Sequence, residues 1–230
     1  MTAILECRQL TKEYHQGETA VQALRGVDLQ FERGEFAAIS GPSGSGKSTL
    51  LHIIGSLEHP SGGEVILDGV SLANETRQQL ADLRLQRIGF VFQAYNLIPV
   101  LSAAENIEFI LQLQGINAKA RHARSAELLH AVGLEGLGER RPEQLSGGQQ
   151  QRVAVARALA SNPAIVLADE PTANLDSKNS DDLLALMSQL NQESHVTIIV
   201  ATHDPKVINH TRRRIVITDG RITTDEAVAA

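Results

Sequence analysis

The stretch GPSGSGKST at 41–49 places Gly41, Gly44 and Gly46 ahead of Lys47, Ser48 and Thr49. It completes the pattern G-x-x-x-x-G-K-[ST], and it lies between a short apolar run, FAAIS, and a helix-like TLLHIIG. Glycines let the backbone through Ser43, Gly44, Ser45 and Gly46 curl until several N–H groups aim at the same oxygens. The following helix N-terminus adds its dipole. Lys47 adds a mobile cation for β- and γ-phosphates, Ser48 a hydroxyl for Mg²⁺, and Thr49 a reach to phosphate. Phosphate chemistry also needs a metal holder and a base. AIVLADE at 164–170 ends a buried strand in two acids. Asp169 is placed to contact Mg²⁺ through water. Glu170, one residue on, can orient and deprotonate an attacking water. A second anion site stands in LSGGQQQRVAVARALA at 145–160. Ser146 occupies an N-cap position, and Gly147 and Gly148 leave backbone N–H groups uncovered at a helix start, which binds anions without a lysine. One triphosphate needs only one cradle. The economical reading is that this helix end covers the γ-phosphate of a nucleotide held by another copy of the chain, two chains sharing two nucleotides head to tail. The alternative is a glycine-capped structural helix.

Strands and helices must hold these groups in place. ILECRQL and VQALRGVDLQF read as two or three strands, and EVILDGV as a strand and turn at Asp68-Gly69. Residues 74–87 read as helical and IGFVF as a strand. From 101 to 132 the period is helical, with Ala104, Ile107, Ile110 and Leu111 on one face and Ala120 and Ala123 on the apolar face of the next segment. AIVLA and VTIIVA are nearly continuous apolar runs, as expected of parallel strands covered on both faces. Leu183, Leu186, Met187 and Leu190 form a helical stripe, and RRIVITDGRI a closing hairpin. The expectation is an α/β domain with a mainly parallel core sheet, an N-terminal antiparallel layer and a helical insertion. Residues 1–92 and 163–230 would form the core, and 93–162 the helical subdomain.

The chain has 230 residues with 42% hydrophobic and 21% charged side chains, enough for one large domain with a real core. Its formal charge of −6 weighs against a nucleic-acid partner, which recruits an excess of Lys and Arg. The single cysteine, Cys7, excludes an internal disulfide and a cysteine-based metal site. No apolar run approaches the ~18 residues of a bilayer span, and no signal peptide is recognisable. Attachment to a membrane is therefore expected only through a partner.

LSGGQ followed by QQRVAVARAL resembles the signature of ATP-binding-cassette transporter ATPases, and the likeness runs from about Ile4 to Ile222. The resemblance implies a P-loop NTPase fold, ATP and Mg²⁺ as ligands, and a homodimer closing on ATP through Ser146, Gly147, Gly148 and Gln149. Tyr14 matches the aromatic that stacks on adenine. Gln93 matches the glutamine that contacts Mg²⁺ and senses the transmembrane partner. Asp176 in ANLD falls in the loop at the dimer interface, and His203 in ATHD matches the histidine near the γ-phosphate. His203 would then hold phosphate and water in line with Glu170. In finer detail the chain resembles the branch of macrolide-export, lipoprotein-release and cell-division ATPases. That implies an ATPase on the cytoplasmic face of a membrane, bound to a separate permease near Tyr95, Leu97, Ile98 and Pro99. Alternatives are an ATPase of small-solute uptake and a soluble, non-transport ATPase. The absence of sustained heptads and the acidic balance weigh against the genome-maintenance kind. Intact Glu170 and His203 weigh against a non-hydrolysing clamp.

Overall fold

The computed structural model describes residues 3–17 and 19–228. The elements, in chain order, are β1 (Ala3–Gln16), β2 (Thr19–Glu32), β3 (Phe36–Ser40), α1 (Lys47–Ile54), β4 (Gly62–Leu67), β5 (Val70–Ser71), α2 (Arg77–Arg87) and β6 (Ile88–Val91). There follow α3 (Ala103–Leu113), α4 (Ala118–Ala131), α5 (Gly147–Leu159), β7 (Ile165–Asp169), α6 (Ser177–Ser194), β8 (Thr197–Thr202), α7 (Pro205–Asn209), β9 (Arg213–Thr218) and β10 (Arg221–Ala227).

The strands form two sheets. An antiparallel sheet runs β2-β1-β4-β5, and a six-stranded sheet runs β10-β9-β3-β8-β7-β6. In the larger sheet β9, β3, β8, β7 and β6 are mutually parallel, and β10 closes one edge as an antiparallel hairpin. Every residue of β3 and β8 is buried, so their unbroken apolar runs meet cover on both faces. The strand period of two divides them. Val166, Ala168, Ile198 and Val200 face a cluster with α3, α4, α5 and α6. Ile165, Leu167, Ile199 and Ala201 face the antiparallel layer and α1. The larger sheet is thus the middle layer, and its strand ends meet the phosphate loop.

The stretch VQALRGVDLQF is a single strand, paired with the long β1 through several bulges. In α3, Ile107 and Leu111 are buried as their spacing predicts, with Ala104 and Ile110 partly covered. In α4 the expected face is corrected: Ala120 and Ala123 are exposed, and the helix buries Ser125, Leu128 and Leu129. The inward stripe begins with Arg121 and Arg124, which bond the Ile116 and Leu159 carbonyls and lead into Ser125 and Leu128, and Ala120 and Ala123 fall outside it. Ser125 is buried because its hydroxyl donates to Glu108 Oε1 at 2.8 Å, beside His122. Among the described residues no helix is long and apolar enough to cross a membrane.

Candidate functional site

The 41–46 loop joins β3 to α1, and Lys47 opens the helix. Gly46 caps α1 at φ 107°, and a Cβ there would come within 2.6 Å of the Ala23 carbonyl oxygen. Only glycine accepts both the left-handed backbone and that close approach. The Lys47 ammonium donates to the carbonyls of Gly41 and Pro42, each at 2.9 Å, so its charge folds over its own loop. Ser43 and Gly44 form the open rim, and with Thr49 they line a cleft of about 680 Å³ that also touches Gln93, Glu170 and His203. That volume suits a small organic ligand with its phosphates. Ser45 points elsewhere. Its hydroxyl is buried without a hydrogen-bond partner, so the residue meets the loop interior rather than the cleft.

The two acids arrive from β7. Ser48 Oγ donates to Asp169 Oδ1 at 3.1 Å, which ties the Asp169 carboxylate, itself outside the cleft lining, to a residue of the cleft wall. Burial pushes the Asp169 carboxyl above its ordinary range, and the Ser48 bond pulls the other way. Glu170 follows at φ 45°, a left-handed conformation uncommon for a non-glycine residue. Its N–H donates to the Ala201 carbonyl at 2.9 Å, continuing the pairing of Asp169 with Ala201 in β7 and β8. This turn brings the carboxylate against the end of β8. Thr202 Oγ1 donates to Glu170 Oε2 at 3.0 Å, and His203 Nδ1 lies 2.6 Å from Oε1. Both carboxylate oxygens are therefore held. Thr202 was not singled out in the sequence; the available sign was its place beside His203 at the end of an apolar strand.

Tyr14, on β1, does not line the cleft itself but stands beside Thr49 of its wall. Its hydroxyl donates to Glu58 Oε2 at 2.6 Å and lies 3.4 Å from Thr49 Oγ1. Burial, then the Glu58 bond, raises its pKa.

Ser146–Gln149 and Asp176 form a second cluster and do not line this cleft. Ser146 Oγ accepts from the Gln149 N–H, while Gln149 Oε1 accepts from the Ser146 N–H, a reciprocal capping box. The Gln150 N–H goes to the Ser146 carbonyl. The glycines admit neighbours: a Cβ on Gly147 would lie 2.9 Å from the Tyr95 hydroxyl, and one on Gly148 2.8 Å from Asn179 Oδ1. Asp176 caps α6, accepting from the Asn179 N–H and from Asn179 Nδ2, and these bonds hold its carboxyl below the ordinary range. Gln93 bridges the two clusters, since its carbonyl accepts from Asn174 Nδ2 at 2.9 Å. Tyr95, offered in the sequence as a permease contact, is half-buried and donates to the Asn174 carbonyl at 3.4 Å. The carbonyls of Tyr95 and Asn96 accept from the Arg157 guanidinium of α5, whose burial lowers its pKa.

A glycine-rich anion loop at the end of a parallel strand, with two acids on a nearby strand, defines a phosphate-loop nucleotide triphosphatase. The comparisons give the family. The family model described as "ABC transporter" matches residues 24–173, and the chain belongs to that family. It is 47% identical over 222 residues to an uncharacterized ABC transporter ATP-binding protein of Thermotoga maritima, covering 96% of this chain and 94% of that protein. It is 46% identical to the macrolide export ATP-binding/permease protein MacB of Marinobacter nauticus over 96% of this chain, but spans only 34% of that longer protein. Among solved structures, a dimeric post-hydrolysis state of the ATP-binding cassette MJ0796 bound to ADP and Pi superposes with a TM-score of 0.90 at 43% identity. That alignment covers 98% of this chain and 99% of the other. The protein of that name in Methanocaldococcus jannaschii is 45% identical over 97% of this chain and 97% of its own length. The chain is accordingly an ATP-binding cassette ATPase.

Proposed function

We propose that this chain is the ATP-hydrolysing subunit of an export-type or motion-relaying membrane transporter, acting as a homodimer beneath a separate permease on the cytoplasmic face. The observation that carries the hydrolytic part is Glu170, held at both oxygens by Thr202 and His203 and facing the cleft that the phosphate loop lines. The export assignment is supported by relatives such as MacB, where the ATP-binding part shares a chain with a permease.

In this reading ATP lies with its triphosphate in the 41–49 loop and its adenine on Tyr14. Lys47 turns from its loop carbonyls to the β- and γ-phosphates. Ser48 and Asp169 offer hard oxygen donors 3.1 Å apart, and a cation relieves the cost of a buried carboxylate, so the set fits Mg²⁺. Ser48, Asp169 and Gln93 would hold that ion, which when bound neutralises charge on the phosphate oxygens. Glu170 takes a proton from water as the water oxygen attacks the γ-phosphorus, and the bond to the β-bridging oxygen breaks to give ADP and phosphate. His203 keeps Glu170 and the phosphate in line.

The second cluster serves the twin subunit. Ser146, Gly147, Gly148 and Gln149 offer helix-start N–H groups to the partner's γ-phosphate, and Asp176 lies at the same interface. Loss of that phosphate separates the dimer, and the motion passes through Gln93. Toward the permease, Pro99 and Val100 are the exposed apolar residues of that loop, with Val100 71% exposed. Leu97 packs inward, and the Ile98 backbone is anchored by Asn106.

Glu170→Gln tests the reading. It should lower phosphate release at least about 100-fold, the scale of a lost general base, and accumulate an ATP-dependent dimer on gel filtration. Normal turnover would remove Glu170 from the base role. Blocked turnover with a monomer only, at ATP saturation, would remove the shared site.

A further inference from the structure

From the adenine end of the cleft we infer a positioning device not found in the motifs: Glu58 and Lys12 fix the Tyr14 ring so that one of its faces is presented to a purine. The inference rests on the proposal that Tyr14 stacks on the base.

Glu58 lies after α1, in the turn that leads to β4. Its carboxylate accepts the Tyr14 hydroxyl at 2.6 Å. Lys12 stands two residues before Tyr14 on β1, so both side chains leave the same face of the strand. The Lys12 ammonium sits 5.0 Å from the Tyr14 ring centroid, donates to the His59 carbonyl at 2.8 Å and lies 3.5 Å from Glu58 Oε2. The Lys12 side chain is only 16% exposed. A cation over one ring face is attracted by the π system and covers that face. The hydroxyl bond resists swinging of the ring about the Cα–Cβ bond, and the Lys12 ammonium over one face, rather than that bond, opposes turning of the ring about its own axis. A ring fixed in this way loses less freedom when a base stacks on its open face, which is the usual gain from preorganisation. The brace holds the base-binding aromatic, and its one approach to the phosphate loop is the long 3.4 Å contact of the Tyr14 hydroxyl with Thr49 Oγ1; it meets neither Lys47, Glu170 nor His203. It should therefore act on nucleotide affinity and leave the chemical step alone.

The experiment is steady-state ATPase kinetics on the full chain, with inorganic tripolyphosphate as a competitive probe that carries no base. Glu58→Ala should raise KM for ATP about fivefold, the scale of one hydrogen bond, with kcat within about twofold and an unchanged inhibition constant for tripolyphosphate. Tyr14→Phe, which keeps the ring and loses the hydroxyl, should raise KM equally. The double variant should add nothing further. Glu58→Gln retains an acceptor oxygen and should restore most of the affinity, which separates bracing from mere folding. The preference for ATP over CTP should shrink in Glu58→Ala. If Tyr14→Ala raises KM and Glu58→Ala does not, the brace is wrong and the stacking role stands. If Glu58→Ala weakens tripolyphosphate as much as ATP, or multiplies the Tyr14→Phe effect, the brace is also wrong. If Tyr14→Ala leaves KM unchanged, the stacking role itself fails and the brace falls with it.

Discussion

Thr202→Val isolates the support of Glu170 from the carboxylate itself. Thr202 is fully buried and valine has nearly its shape, so the substitution removes a hydroxyl without opening a cavity. Two bonds go with it: the 3.0 Å donation to Glu170 Oε2, and the acceptance from the Asp204 N–H, also at 3.0 Å. A hydrogen bond to a charged group is worth about 1.5–3 kcal/mol. The Glu170 side chain is 16% exposed, so water can replace part of the lost donor, and the low end of that range applies. About 1.5 kcal/mol corresponds to roughly tenfold in rate. Turnover of saturating Mg-ATP, followed by phosphate release, should fall about tenfold. ATP affinity measured by calorimetry in EDTA should stay within about twofold, because the Thr202 hydroxyl bonds Glu170 and Asp204 and no residue of the 41–49 loop. The second lost bond, to the Asp204 N–H, costs about 1 kcal/mol, or about 2–4 °C in Tm for a chain of this length. Thr202→Ser keeps the hydroxyl and should retain at least about half the activity. A Thr202→Val kcat within twofold of the parent would refute the idea that this hydroxyl sets the carboxylate. A matching loss of ATP affinity would point to general damage.

Lys47→Ala removes the cation of the phosphate loop and should weaken ATP binding at least about tenfold by calorimetry, the scale of one charge-assisted bond; affinity near that of the parent would deny Lys47 its contact. Gly148→Ala would drive a methyl to 2.8 Å from Asn179 Oδ1 and 3.0 Å from its Cγ, displacing an amide bonded to Asp176 at 2.7 Å. Gly147→Ala meets the movable tip of Tyr95, whose bond to the Asn174 carbonyl is long at 3.4 Å and exposed, and so has less to lose. Gly148→Ala should thus lower Tm by about 2–4 °C more than Gly147→Ala, for one lost hydrogen bond, and equal melting curves would contradict the packing. Asp169→Asn should end Mg²⁺-dependent turnover yet melt no lower than the parent at pH 7 in EDTA. Burial raises the Asp169 pKa, so its stability contribution is complete below the ordinary carboxylate range and is lost as pH rises through the raised value. The neutral amide keeps that contribution at pH 7, and the two curves should converge in acid. A less stable Asp169→Asn protein at pH 7 would reverse the sign.

What the sequence by itself determined is whatever lies in one contiguous stretch. The 41–49 loop carries its own backbone geometry, since its glycines and Lys47 sit within a single turn and helix start. The nearly continuous apolar runs of β7 and β8 announced parallel strands covered on both faces. Ser146 could be read as a cap because its bond to the Gln149 N–H spans three residues. Contacts between distant segments were decided by tertiary structure. Thr202 meets Glu170 only because β7 and β8 pair in the register that sets Asp169 against Ala201. Shifting that pairing by one residue would turn the threonine to the other face of the sheet. Glu58 reaches Tyr14 across 44 positions, Tyr95 meets Asn174 across 79, and Ala120 and Ala123 stay exposed where the helical period alone would bury them. Periodicity says which residues share a face. Only the packing of whole elements says what that face meets.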